Sequence, residues 1–238
     1  DLHYPLRRQR QMCIRDRRCS ALRVLYVQDE IADEYWDYLN EALQEYTIGD
    51  PNLPKVDIGP IINKNSKDRL LAHISALKKS AKRTIEHHHK QDKGDLFITP
   101  IVFEIDSINQ IDEENFGPIL HFIRYKNENL QQVIDEINDT GYGLTMGVHS
   151  RIVSKARRIF EAANVGNFYF NRDIVGAVVG VQPFGGQGLS GTGPKAGGPG
   201  YLYNFVTEKT YTDNVMATGG NLSLIHISEP TRRTPISY

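Results

Sequence analysis

The chain has 238 residues with 28 Lys and Arg against 29 Asp and Glu, a net charge of -1, so no basic surface of the kind that tracks a phosphate backbone is present. No apolar run reaches membrane-spanning length, and the length suffices for one sizeable core or the larger part of a two-lobed enzyme. Two cysteines, Cys13 and Cys19, give little scope for a disulfide framework.

The two ends are set aside first. Back-translating Met12 to Arg17 as ATG TGT ATA AGA GAC AG(N) and taking the reverse complement gives codons for Leu-Ser-Leu-Ile-His followed by Ile or Met, which is Leu222 to Ile227. Folding does not impose reverse-complementary codons on two termini, whereas a sequencing adapter ligated to both ends of a DNA fragment does. Residues 1–17 and 222–238 are therefore expected to be translated adapter and are excluded from fold reasoning. That leaves Arg18 to Asn221 as an expected internal piece of a longer, cytoplasmic protein, with Cys19 as its lone thiol.

From Arg18 onward, extended runs alternate with helical stripes. Ala21 to Val27 is β-branched and aromatic and predicts a strand. Ile31, Tyr35, Tyr38, Leu39, Ala42 and Leu43 follow at helical spacing and predict the apolar face of an amphipathic helix. Pro51, Pro54, Gly59 and Pro60 mark a loop. Leu70, Leu71, Ile74 and Leu77 predict a second helix ending near Lys82. His87, His88 and His89, flanked by Glu86, Lys90, Gln91, Asp92 and Lys93, read as a solvated surface loop rather than a metal site, because adjacent histidines point apart and no Cys or acidic cluster accompanies them. Phe97 to Ile105 and Ile119 to Tyr125 predict strands, and Leu130 to Ile137 a helix stopped by Asn138 to Gly143. Met146 to His149, a helix over Ile152 to Ala163 and a strand over Asn167 to Asn171 complete an α/β layered pattern.

Three islands carry candidate chemistry. Cys19 lies in Arg18-Cys19-Ser20-Ala21, between an irregular stretch and an apolar strand. Glu114-Asn115-Phe116-Gly117-Pro118 precedes the strand Ile119 to Tyr125, and an acid beside an exposed ring there can accept hydrogen bonds from sugar hydroxyls. Eight of the twenty glycines fall between Gly185 and Gly200. Within that run Gly186-Gln-Gly188-Leu-Ser-Gly191 matches a dinucleotide fingerprint in letters only. Pro183 cannot donate within a preceding strand, and Gly193, Pro194, Gly197 and Pro199 exclude a following helix. A P-loop fails too, since Lys195 follows Pro194. What is left is a long loop able to bring backbone N–H groups to an anion.

Arg18-Cys19-Ser20-Ala21-Leu22-Arg23, Glu114-Asn115-Phe116-Gly117-Pro118, Gly166-Asn167-Phe168-Tyr169-Phe170-Asn171 and Pro183-Phe184-Gly185-Gly186 occur in this order in the aldehyde dehydrogenase superfamily, which the chain resembles. The stretches 175–186 and 191–199 are similar to the glutamate-semialdehyde dehydrogenase module of bifunctional proline utilisation proteins. The resemblance implies an α/β catalytic lobe, a layered sheet with flanking helices, over residues 18–190, an anchor loop and oligomerisation segment over 191–221, and a nucleotide-binding lobe that is largely missing. It implies Cys19 as the nucleophile, Glu114 and Phe116 as contacts of the nicotinamide ribose and nicotinamide of NAD, and Ser20, Gly197, Gly198 and Phe205 as contacts of a small aldehyde acid. It further implies a homo-oligomer and FAD only in a separate proline dehydrogenase domain, while the charge balance and the lack of a ligand cluster lead to the expectation of neither nucleic acid nor metal. The general-base Glu and oxyanion Asn of the family have no counterpart here, and Arg17 stands where the family commonly has Gln, so the chain alone is expected to be inactive. A dehydrogenase for another semialdehyde, or a non-catalytic oligomerisation lobe, are the alternatives.

Overall fold

A computed structural model describes residues 18–88, 94, 96–175, 177–178 and 180–214. The two stretches assigned to adapter lie outside the described residues, as do His89 and residues 215–221. The chain divides into two compact units, 1–201 and 202–238, and the expected boundary at 190/191 falls inside the first.

The first unit is built on a four-stranded sheet of β1 (Val24–Gln28), β2 (Arg83–Glu86), β3 (Ile101–Ile105) and β4 (Ile119–Tyr125), in the order β1-β4-β3-β2. β1 runs parallel to β4 and β4 to β3, while β2 pairs antiparallel with β3. β3 is buried at every position, which is why it reads as a continuous apolar run rather than an alternating one. Its side chains still alternate between two cores. Val102, with Leu120 and Phe122 of β4, faces helix α1 (Asp29–Gln44), and Ile101, Phe103 and Ile105, with Ile119 and Ile123, face helix α2 (Lys64–Ser80). The period-2 geometry of the strands thus places one helix on each side of the sheet, the layered α/β arrangement expected from the sequence.

α1 forms where the sequence predicts, but its buried face is different. Ala32, Trp36, Leu39 and Leu43 are buried, whereas Ile31 is 51% and Tyr38 48% exposed. Trp36 decides the phase: its ring meets Phe122 edge to face at 5.3 Å, and the Arg83 guanidinium lies 4.5 Å from its ring centroid. A large ring anchored in the core outweighs tyrosines whose hydroxyls favour the surface. Leu71 of α2 is likewise exposed, while Leu70, Ile74 and Leu77 are buried.

α2 stops at Ser80, and β2 follows directly. This short strand was not expected, and it changes the reading of the histidines: His87 is buried and its Nε2–H donates to the Tyr46 carbonyl at 2.9 Å, while His88 is exposed. The charged neighbours suggested solvent, yet a strand end turns one residue inward and the next outward. On β3, the one buried acid, Glu104, accepts from Arg83 Nε at 2.6 Å and Arg124 Nε at 2.7 Å, and Arg124 also reaches Asp33 of α1.

The α2 N-terminus is held by Asn63, whose Oδ1 accepts from the Ser66 N–H at 2.8 Å. Asn63→Ala is expected to lower stability by about 1 kcal/mol, read as a shifted denaturant midpoint with an unchanged slope.

Helix α3 (Leu130–Asp139), strand β6 (Thr145–Val148), helix α4 (Val153–Ala162) and strand β7 (Asn167–Phe170) follow the predicted alternation within a residue or two, while a two-residue strand β5 (Tyr142–Gly143) lies where only a helix stop was expected. β6 and β7 pair in parallel, and Leu130, Ile134 and Ile159 pack with Met146, Val148 and Phe168 into a third core. β8 (Gln187–Gly188) pairs antiparallel with β5. A 3₁₀ turn, Tyr201–Phe205, spans the division between the units, and the described remainder of the second unit, to residue 214, has no regular element.

Candidate active site

Cys19 is exposed on a turn closed by the Ala21 N–H donating to the Arg18 carbonyl at 3.1 Å, immediately before β1. Ser20, next to it, is buried at 3% exposure. The turn is short because β1 must start at Val24 to pair with His121, so the thiol is delivered to the end of the sheet on a fixed stem.

A cavity of about 370 Å³ opens there, and Cys19, Arg23 and Glu114 all line it. Glu114 also lines a neighbouring cavity of about 380 Å³ with Asn115 and Phe116. The acid and the thiol, 95 positions apart in the sequence, therefore line one cavity. Glu114 lies in the irregular segment leading into β4, with its carboxylate part-exposed and one oxygen, Oε1, bonded to Arg23 Nη1. Phe116 is 44% exposed, and the Arg23 guanidinium stacks 3.8 Å from its ring centroid. Arg23 Nη2 donates in addition to the Arg18 carbonyl at 3.3 Å.

Behind Arg23 stands a pair of histidines. The Arg23 carbonyl accepts from both the backbone N–H and the ring Nδ1–H of His121, each at 2.9 Å. Since a carbonyl only accepts, His121 carries its proton on Nδ1, and its Nε2 accepts from the Nε2–H of His73 on α2 at 2.9 Å. Burial lowers the His121 pKa to about 4, with smaller lowering from the His73 and Arg23 charges and an opposing contribution from the hydrogen bond to Arg23. Burial also lowers that of His73, against the pull of Glu113 and Asp112.

The glycine-rich loop is pinned, not loose. Asn167 on β7 donates to the Pro183 carbonyl at 2.9 Å and accepts from the Gly185 N–H at 3.1 Å, while Phe184 and Ala196 exchange two backbone bonds at 3.0 Å. Lys195 Nζ donates to the Gly166 carbonyl. Gly166 must lack a side chain, because a Cβ there would stand 1.9 Å from the Gly185 carbonyl oxygen. The loop reaches the Cys19 cavity through Ser190, whose Oγ accepts from the Gly143 N–H at 3.0 Å.

The expected anion anchors are placed differently from one another. Gly197 has φ +74, a conformation that disfavours any side chain, whereas the Gly198 N–H already donates to the Lys195 carbonyl at 3.0 Å. Neither is among the described residues lining the Cys19 cavity. Phe205 is 70% exposed and belongs to the second unit. No group of three or more His, Cys, Asp or Glu able to hold a metal occurs among the described residues, and none of their helices is long and apolar enough to cross a membrane.

Sequence reasoning gave no role to Arg23, His73, His121 or Ser190. Arg23 lies inside the motif 18–23, and a cation opening an apolar strand is itself a sign of a fixed partner. His121 in the middle of the apolar run Ile119 to Tyr125 is a similar sign, since a buried imidazole needs hydrogen-bond partners.

Comparison with known proteins gives one consistent answer. The profile described as the aldehyde dehydrogenase family matches residues 9–211. Bifunctional protein PutA of Klebsiella aerogenes is 45% identical over 199 residues, covering 81% of this chain and 15% of that protein. The 1-pyrroline-5-carboxylate dehydrogenase of Geobacillus sp. strain WCH70 is 34% identical over 198 residues, covering 82% of this chain and 38% of that protein. A solved structure of Bradyrhizobium japonicum proline utilization A superposes with a TM-score of 0.81 at 46% identity, over 90% of this chain and 22% of that one. The chain thus spans well under half the length of these relatives.

Proposed function

Because the chain belongs to the aldehyde dehydrogenase family, we propose that it is the nucleophile-bearing part of an NAD-dependent, cytoplasmic dehydrogenase that oxidises L-glutamate γ-semialdehyde to glutamate in proline catabolism. The names of the relatives, PutA and 1-pyrroline-5-carboxylate dehydrogenase, point to that substrate. The observation that carries the reading is that Cys19 and Glu114 line one cavity, with Arg23 bonded both to Glu114 and to the Arg18 carbonyl of the turn that bears Cys19.

Cys19 Sγ, as thiolate, adds to the aldehyde carbon and closes a hemithioacetal whose oxyanion accepts from the Cys19 backbone N–H. Loss of hydride from that carbon leaves a thioester on Cys19, and water cleaves it to the acid and the free thiol. NAD, when bound, supplies the hydride acceptor. The residues present suit its nicotinamide–ribose half: Glu114 keeps Oε2 for a ribose diol while Arg23 bonds Oε1, and Phe116 offers a half-exposed flat ring to the nicotinamide. Ser20 and Gly197 are proposed to contact the substrate carboxylate, with Gly198 joining only if its N–H leaves Lys195. Assembly of the parent into a homo-oligomer belongs to the same proposal.

The test is NADH formation by the full-length protein with glutamate semialdehyde against 4-aminobutanal, which differs only by the α-carboxylate. A kcat/KM at least about tenfold lower for 4-aminobutanal is expected from loss of a charged anchor. Equal values would sink the assignment and favour a dehydrogenase for another semialdehyde.

A further inference from the structure

We infer that Arg23 is a positioning residue, a clamp that sets the cofactor-side acid, the cofactor-side ring and the turn bearing the nucleophile in one frame. The inference rests on the proposed roles of Glu114 and Phe116. One guanidinium makes three contacts: Nη1 to Glu114 Oε1, Nη2 to the Arg18 carbonyl at 3.3 Å, and its central carbon over the Phe116 ring, 3.8 Å from the centroid. Only the planar, forked head of arginine can bond a carboxylate at one nitrogen, a carbonyl at another and a ring by its face; an ammonium cannot.

The clamp is the fixed member of the group. The Arg23 side chain is 17% exposed against 39% for Glu114, so the acid is the part that would move. The clamp's own backbone is doubly bonded to His121 of β4, which His73 of α2 holds in turn. Glu114 and Phe116, by contrast, belong to the irregular segment before β4. Arg23 therefore transfers the rigidity of the sheet to a loop that lacks it. Holding Oε1 leaves Oε2 oriented as an acceptor for two vicinal hydroxyls, and the guanidinium charge offsets the carboxylate where an anionic dinucleotide approaches.

The experiment is NADH titration of the full-length protein, read by nucleotide fluorescence, with thermal melting of each variant. Arg23→Gln is expected to raise the NADH Kd about tenfold, the loss typical of a charge-assisted hydrogen bond, and to raise the NAD KM in the same direction while the semialdehyde KM changes by less than about twofold. Glu114→Gln also weakens NADH, and adding Arg23→Gln to it weakens binding by less than about threefold more, because the clamp acts largely through the acid. Should Arg23→Gln lower the melting temperature, Arg23→Lys keeps stem and charge; a raised Kd at wild-type melting temperature supports the fork, and a wild-type Kd overturns it. An unchanged Kd in Arg23→Gln overturns the clamp outright, as does full additivity in the double variant. The substrate reading fails separately, through absent turnover of glutamate semialdehyde in a protein whose NADH affinity still depends on Arg23.

Discussion

Cys19→Ala in the full-length protein is expected to lower NADH formation from the aldehyde by at least about 10³-fold, because the reaction has no covalent adduct without the sulfur. The variant should fold normally. Cys19 is exposed on its turn, so truncation removes no core packing and leaves the Ala21–Arg18 turn bond in place. The proposed oxyanion donor is a backbone N–H and survives the substitution, as do Arg23, Glu114 and Phe116. NADH should consequently bind within about twofold of wild type, separating chemistry from cofactor binding. Cys19→Ser is expected to be nearly as inactive, since a serine hydroxyl is hardly ionised near neutral pH and an alkoxide would need a stronger base. Retention of a tenth or more of the activity by Cys19→Ala, with normal NADH binding, would remove Cys19 from the mechanism and revive the reading of this segment as a non-catalytic lobe.

The parts of this molecule that were legible in the sequence are those governed by local periodicity. β4 was bounded to the residue, and the alternation of α3, β6, α4 and β7 followed from apolar spacing and from the stop over Asn138 to Gly143. What escaped was set by tertiary partners. The face of α1 depends on Trp36 finding Phe122, and the short β2 depends on β3 offering an edge, neither of which spacing within α1 or β2 encodes. Cys19, Glu114 and Phe116 could be singled out by motif, and Arg23 could be marked as a cation needing a partner, yet that partner could not be named, because it is a carboxylate 91 positions away. The glycine-rich loop shows the same limit: its composition signalled backbone donors, but whether the Gly198 N–H is available depends on the Lys195 carbonyl beside it.

Acidification should destabilise this chain through His121. The sign follows from the proton count: His121 is neutral in the fold down to about pH 4, whereas an unfolded histidine takes up a proton below about 6.5, so between these values the unfolded state binds more protons and stability falls as pH falls. Above pH 6.5 neither state is protonated and the contribution is flat; below 4 both are, and it is flat again. A gap of this size corresponds to about 3 kcal/mol across the window. The cause is structural. His121 is 2% exposed in the middle of the sheet, its Nδ1–H is committed to the Arg23 carbonyl, and its Nε2 accepts from His73. A second proton would have to displace the His73 hydrogen bond, without solvent, next to Arg23. His73 shifts in the same direction, moderated by Glu113 and Asp112, so a residual slope should remain when His121 is replaced. His121→Asn keeps a donor for the Arg23 carbonyl and removes the titration. Denaturant unfolding of wild type and variant at pH 7 and pH 4.5 isolates the difference from the carboxylates common to both. The variant is expected to be less stable than wild type at pH 7 and to lose markedly less on acidification; parallel losses in the two proteins would mean that His121 is not held neutral by its surroundings.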